Sequence, residues 1–385
     1  AVVAFRPDNG FAYVGPSDVI SITFNQPMDH ASVEALFALE GDGANVPGTL
    51  RWSGGRTATA AETMVFVPRE PLPRGTAFAA ALAPGARARA GSGGLERAPS
   101  WKFTTAPNPG VARTEPANGA QQVRPGTGLK IVFASPMQPE DLLDHVSFRP
   151  AVTEVYTYWS EFDTEVTLSW EQEPATQYAV TLDAATPDKF GATLGRAASL
   201  RFATGDLAPV AWLTAVGRLG TYSAYTDTVV YATYRNVSRL DASLYRLSLR
   251  TFMDLNTRWE AWDRFVPAEG DLVRAWSLRV NAPRNEARLA RLDLVGEDGS
   301  ALPPGLYYVA LTAPEVEEGQ QPGDLDSRAM FVKSALNLTL KQTEAEALVW
   351  ATDLTSGQPA ASLPINLYTT WGEVDASGTT GGDGL

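Results

Sequence analysis

One pattern, present twice at a fixed spacing, constrains this chain more than any other feature. Pro7-Asp8-Asn9-Gly10 leads into Ile20-Ser21-Ile22-Thr23-Phe24 and then Pro27-Met28. Pro116-Ala117-Asn118-Gly119 leads into Leu129-Lys130-Ile131-Val132-Phe133 and then Pro136-Met137, every matched position displaced by 109 residues. Each copy closes on a related strand, Trp101-Lys102-Phe103-Thr104-Thr105 and Leu200-Arg201-Phe202-Ala203-Thr204, 99 residues apart. Self-similarity at a constant period marks tandem units rather than one large catalytic domain.

Within each copy the strand pattern alternates apolar and polar side chains, which suits a sheet with one buried face. Met64–Val67 and Ala77–Leu82 read as further short strands, with Pro71-Leu72-Pro73-Arg74-Gly75 as turn chemistry between them. In the second copy Pro174-Ala175-Thr176 stands in for Pro73-Arg74-Gly75-Thr76, one residue shorter when the prolines are matched. Asp29–Leu39, with Val33 and Phe37 at helical spacing, is expected to be a short helix. Many short strands with turn signals between them predict an all-β chain of antiparallel β-sandwiches. The expected borders are 1–106, 107–206, 207–334 and 335–385. The third sandwich is built from Thr228–Tyr234, Leu244–Leu249, Leu289–Val295, Leu302–Leu311 and Arg328–Val332, with Phe252–Val273 as a short helix or a long loop. Gly91–Gly94 reads as a hairpin tip, and Glu315–Asp326 as an exposed acidic loop. Three strands after Leu336 enclose no core of ordinary size, so the chain is read as a fragment of a longer protein.

Composition closes off several classes of function. Hydrophobic residues make up 44% and charged residues 19% of 385, an ordinary globular balance. A net charge of −13 argues against nucleic acid or an anionic membrane as a partner, because both require clustered cations. Cysteine is absent, which removes disulfides, thiolate metal sites and a cysteine nucleophile. No run of 18 apolar residues occurs, so no transmembrane segment is expected.

Two parts of the chain carry a family resemblance. The paired Pro-x-Asn-Gly, Phe-x-x-Pro-Met and Phe-x-Thr elements resemble bacterial Ig-like domains found in tandem on cell-surface proteins. Trp350-Ala351-Thr352-Asp353-Leu354-Thr355-Ser356-Gly357-Gln358-Pro359, followed by Ile365-Asn366-Leu367-Tyr368, is similar to an early macroglobulin-type domain of bacterial alpha-2-macroglobulins. Gly382-Asp383-Gly384 resembles that domain's next strand entry, from which Thr380 and Gly381 depart. Asn236-Val237-Ser238 and Leu302-Pro303-Pro304-Gly305-Leu306-Tyr307 resemble the domain before it. The resemblance implies the non-catalytic N-terminal scaffold of a protease trap. Its partners would be proteases, met through the full-length protein, and other domains of the same chain, in an extracytoplasmic location. The alternative is an adhesin or surface-layer protein built of Ig-like repeats.

No catalytic, cofactor-binding or metal-binding residue is assigned, and no cofactor is implied. His30 and His145 are too few and too far apart for a metal pair or a triad, and read as loop or helix histidines. Glu161, Asp163 and Glu165, with Glu171 and Glu173, lie as sequence neighbours. Opposed glycosidase acids must instead flank a cleft, so these read as solvent-facing. Glu297-Asp298-Gly299 and Asp324-Leu325-Asp326 lack the ordered oxygen ligands of a calcium loop. Trp159, Trp170, Trp212, Trp259, Trp262 and Trp276 are expected to pack in cores or interfaces rather than stack on sugars. Trp259 and Trp262 are expected to keep one face in water. Met28 and Met137 should fill the two repeat cores.

Overall fold

A computed structural model describes residues 1–57, 60–90, 94–95, 97, 99–214, 218–317, 327–343 and 346–385. The chain forms two compact units, Ala1–Gly205 and Asp206–Leu385.

In the first unit each repeat is a sandwich of two sheets. Repeat 1 places Val2–Arg6, Ile20–Phe24, Glu62–Pro68 and Gly48–Gly54 side by side in that order. Ala44–Asn45, Phe37–Gly41, Ala77–Leu82 and Ser100–Thr104 form the second sheet. Alternation puts Ile20, Ile22, Phe24, Met64 and Phe66 of one sheet against Leu39, Phe78, Leu82, Trp101 and Phe103 of the other. Repeat 2 uses the same plan. One sheet is Tyr156–Trp159, Glu165–Ser169, Leu129–Phe133 and Val111–Glu115; the other is Ala120–Val123, Ala198–Thr204, Gln177–Leu182 and Val146–Arg149. Met28 and Met137 are buried in their respective cores, as expected.

The helix expected over Asp29–Leu39 is only His30–Glu34. Phe37–Gly41 is instead a strand, antiparallel to Ala77–Leu82, with Leu39 buried. Ladder pairing and burial of alternate side chains override a helical spacing that rested on two residues. The apparent one-residue deletion before Thr176 is also absent. The amides of Thr76 and Thr176 donate to Thr105 Oγ1 and Thr204 Oγ1 at 3.0 and 2.9 Å. Those hydroxyls in turn donate to the carbonyls of Pro73 and Glu173. Pro73 therefore corresponds to Glu173, Arg74 to Pro174, and Gly75 (φ 64°) to Ala175 (φ 49°).

The second unit is also β-rich. Val210–Leu213, Val229–Arg235 and Arg288–Asp293 form a three-stranded sheet. It shares a core with a five-stranded sheet ordered Leu219–Ser223, Arg328–Ser334, Gly305–Thr312, Arg239–Leu247 and Leu272–Arg279. Phe252–Val273 resolves into helices Leu249–Thr257 and Trp259–Asp263, a 3-10 turn at Glu269–Asp271 and the start of the Leu272–Arg279 strand. Ser248 caps the first helix by accepting from Thr251 N. These helices cover the outer face of the large sheet, where Leu255 and Trp262 meet Tyr308 and Met330. The acidic loop begins with a helical turn at Pro314–Glu317; its residues 318–326 lie outside the described residues, as does the 91–93 hairpin tip. Two hairpins follow, Leu336–Gln342 with Ala347–Asp353 and Pro364–Tyr368 with Val374–Thr379.

Candidate functional site: the repeat corners and their junction

The repeated motif works as a clamp. Asn9 Oδ1 accepts from Lys102 N at 2.9 Å, and Gly10 N donates to Lys102 O at 2.7 Å. Asn118 Oδ1 and Gly119 N hold Arg201 in the same way, at 2.7 and 2.6 Å. Gly10 and Gly119 have φ of 85° and 88°, a region that costs glycine little and other residues much. This asparagine–glycine pair fixes the closing strand of each sandwich.

The Pro–Met corners differ between repeats. In repeat 1, Met28 N donates to Glu62 Oε2 at 2.7 Å, and Glu62 is only 2% exposed. Arg89 Nη2 and His30 Nε2 reach Glu62 Oε1 at 2.9 and 3.1 Å. The His30 ring stacks on Trp52 at 3.9 Å. Burial pushes the Glu62 carboxyl up, but the Met28 amide, the His30 contact and the Arg89 charge together hold it below the usual glutamate range. In repeat 2, Met137 N donates to the backbone carbonyl of Asp163 at 2.9 Å. The Asp163 side chain turns to Lys189, which occupies the place of Arg89.

The other sequence candidates are dispersed. His145 faces Asp183 at 3.1 Å in repeat 2, so the two histidines serve separate repeats. The hydrogen bond from His145 lowers the Asp183 pKa. Glu165 pairs with Lys130 at 2.6 Å, while Glu161 and Glu171 are exposed. Asp298 accepts from Ser300 N within a hairpin turn, and Asp324 and Asp326 lie outside the described residues. Among the described residues, no group of three or more His, Cys, Asp or Glu could hold a metal ion.

Trp170 is buried beside Phe148, Tyr178 and Phe202, and Trp159 stacks on Phe133. Trp212 is half-buried, and Arg274 lies over the Trp276 ring at 4.7 Å. The paired expectation for Trp259 and Trp262 separates. Trp262 is buried against Tyr308 with Arg328 over its ring, whereas Trp259 is 68% exposed.

Sequence reading missed three polar contacts. Lys333 is buried, with Nζ donating to Thr228 Oγ1 at 2.7 Å and Thr226 O at 2.9 Å. Burial lowers its pKa, and the Asp227 charge offsets this in part. A lysine on the inward phase set by Ala329 and Phe331 was the available signal. Tyr225 OH donates to Asp353 Oδ2 at 2.6 Å. That bond, with those from Ser356 and Thr355, holds the Asp353 carboxyl at about 2.

The third contact joins the repeats. Arg74 Nη1 donates to Asp188 Oδ2 at 2.6 Å and to Pro107 O at 3.0 Å, and Nη2 lies 3.4 Å from Asp188 Oδ1. The Asp188 side chain is fully buried and also accepts from Ser135 Oγ, Phe190 N and Ala192 N. The Arg74 guanidinium sits 5.8 Å from the centre of the Phe190 ring. Phe11 of repeat 1 meets Phe162 of repeat 2 edge-on at 6.1 Å. The connecting segment is bonded to both sides: Ala106 N to Val14 O, and Ala134 N to Gly110 O. Such an arrangement positions one sandwich on another.

The bacterial Ig-like domain family matches residues 1–105 and again 106–204. No curated protein matches the chain. Among solved structures, Salmonella alpha-2-macroglobulin reacted with methylamine is 18% identical with a TM-score of 0.55, covering 72% of this chain and 16% of that one. A mutant of the Salmonella protein gives a TM-score of 0.56 at the same identity and coverage. A fragment of native Escherichia coli alpha-2-macroglobulin spanning domains MG0-NIE-MG1 is 15% identical with a TM-score of 0.41, covering 72% of this chain and 88% of that one. The Salmonella match shows a shared fold, and this chain spans about a sixth of that protein's length.

Proposed function

Since this chain belongs to the bacterial Ig-like domain family, carrying two such domains in tandem, we propose that it is the N-terminal scaffold of a bacterial alpha-2-macroglobulin-like protease trap. The observation that carries this reading is the fold shared with Salmonella alpha-2-macroglobulin over 72% of the chain. In this reading residues 207–334 are a macroglobulin-type sandwich and 335–385 open another. The scaffold is non-catalytic and works outside the cytoplasm. It spaces and frames a chamber in which the rest of the protein encloses a protease. Among the described residues no helix is long and apolar enough to cross a membrane.

The test is to mix the full-length protein with a protease and assay one protein substrate and one small peptide substrate. Steric trapping predicts loss of activity on the large substrate with the small one still cleaved. Equal loss of both, or of neither, overturns it. The tandem repeats also fit a surface-layer or adhesin role, and that second reading predicts no effect on either substrate.

A further inference from the structure

We propose that the contact between the repeats is a single-use coupling, which makes their order non-interchangeable and makes residues 1–205 unfold as one cooperative unit. The argument comes from comparing equivalent positions. Repeat 1 presents Arg74 and Phe11; the same places in repeat 2 are Pro174 and Ala120, the residue after each motif glycine. Repeat 2 presents Asp188 and Phe190. Bridges pair Met28 with Ala88 and Met137 with Asp188, so the same places in repeat 1 are Ala88 and Ala90.

Each complementary half therefore occurs once. A head-to-tail contact whose two halves both recur on every unit propagates into an open array. Here repeat 2 has Pro174 where the arginine stands, and repeat 1 has Ala88 where the receiving carboxylate stands; the buried Glu62 of repeat 1 is held by its own Arg89 and His30. The partner that fits the Asp188 face is thus a sandwich end bearing an arginine beside an aromatic ring, and within this chain that is the end of repeat 1.

The energetics favour coupling over mere adjacency. Asp188 is fully buried, and Arg74, itself mostly buried, is the one cation bonded to it among the described residues. Separating the repeats would strand that carboxylate without its counter-charge, which is costly for a buried pair. The linker adds no slack, because Ala106 is buried and Gly75 N donates to its carbonyl.

The experiment is native-state hydrogen exchange on the intact 385-residue chain, comparing the amides of Ile20–Phe24 with those of Leu129–Phe133 in increasing urea. Coupling predicts that the two strands exchange through one shared opening and converge on the same urea dependence. Arg74→Gln touches only the junction and should separate them, with opening rates differing tenfold or more. Asp188→Asn keeps an oxygen for Phe190 N and Ala192 N, and in that background Arg74→Gln should have little further effect. Two independent openings in the unmodified chain overturn the proposal. So does an Arg74→Gln chain that still exchanges as one unit, or an Arg74→Gln effect undiminished by Asp188→Asn.

Discussion

The two Pro–Met corners start from the same residues and solve one problem differently. Each must satisfy the amide of a buried methionine at a strand end, because an orphaned buried N–H is costly. Repeat 1 brings in a side chain, Glu62, and with it a buried carboxylate that Arg89 balances and His30 contacts. Repeat 2 uses the Asp163 carbonyl and leaves the carboxylate free to meet Lys189 nearer solvent. Its buried carboxylate is instead Asp188, turned toward the neighbouring repeat. A single sandwich template thus tolerates a buried acid at either of two places, and the choice decides whether the acid serves one repeat or two.

The largest expected effect breaks this comparison directly. Glu62→Leu orphans the Met28 amide and removes the partner of Arg89 and His30, and should cost about 3 kcal/mol in urea unfolding. Asp163→Asn leaves the Met137 bond intact, suits the left-handed backbone there (φ 54°) and removes a partly exposed ion pair, so it should cost no more than about 1 kcal/mol. Equal losses would mean that the corners are not built differently.

Next come Thr105→Val and Thr204→Val, which sharpen the comparison by testing what the repeats share. Each removes a buried hydroxyl that accepts from one backbone amide and shares its proton between two carbonyls. Each should cost roughly 2 kcal/mol, with the two values matching. A large mismatch would show that the closing threonines are not equivalent.

A smaller effect concerns acid. The Glu62 pKa is lower folded than unfolded, so its contribution is present above the ordinary glutamate value and fades as pH falls through the folded one. The stability gap between the unmodified chain and Glu62→Gln should therefore narrow on going from about pH 5 to about pH 3. The smallest effect lies at Asp353. Tyr225→Phe deletes the strongest of the bonds holding that carboxyl at about 2, and its midpoint in a carboxyl NMR titration should rise toward the ordinary aspartate value.

Sequence alone revealed what the repeats have in common, because shared residues recur at a fixed spacing. The Asn9-Gly10 motif and the core methionines were legible that way, and the strand Ala77–Leu82 from its short apolar run between Pro and Gly; the clamp that Asn9 and Gly10 form was not. The junction was not legible, for a physical reason. Arg74 and Asp188 occupy non-equivalent places, so neither recurs, and each alone looks like an ordinary turn residue. Matching Pro73 to Pro174 even hid the fact that a proline replaces the coupling arginine. The helix over Asp29–Leu39 failed beyond Glu34 because strand pairing with Ala77–Leu82 depends on residues some 40 positions away. Trp259 and Trp262, alike in sequence context, parted although a three-residue step keeps them near one face of the helix: Trp259 opens the helix and stays exposed, and Trp262 packs with Leu255, Tyr308 and Met330.

The contrast between the corners rests on hydrogen bonds and nearby cations outweighing burial at Glu62. A carboxyl-carbon NMR titration of Glu62 in the intact chain measures that balance. The midpoint should fall below the ordinary glutamate value of about 4.3. A midpoint at or above that value would mean that burial wins, and that repeat 1 does not hold its corner with an ionised carboxylate.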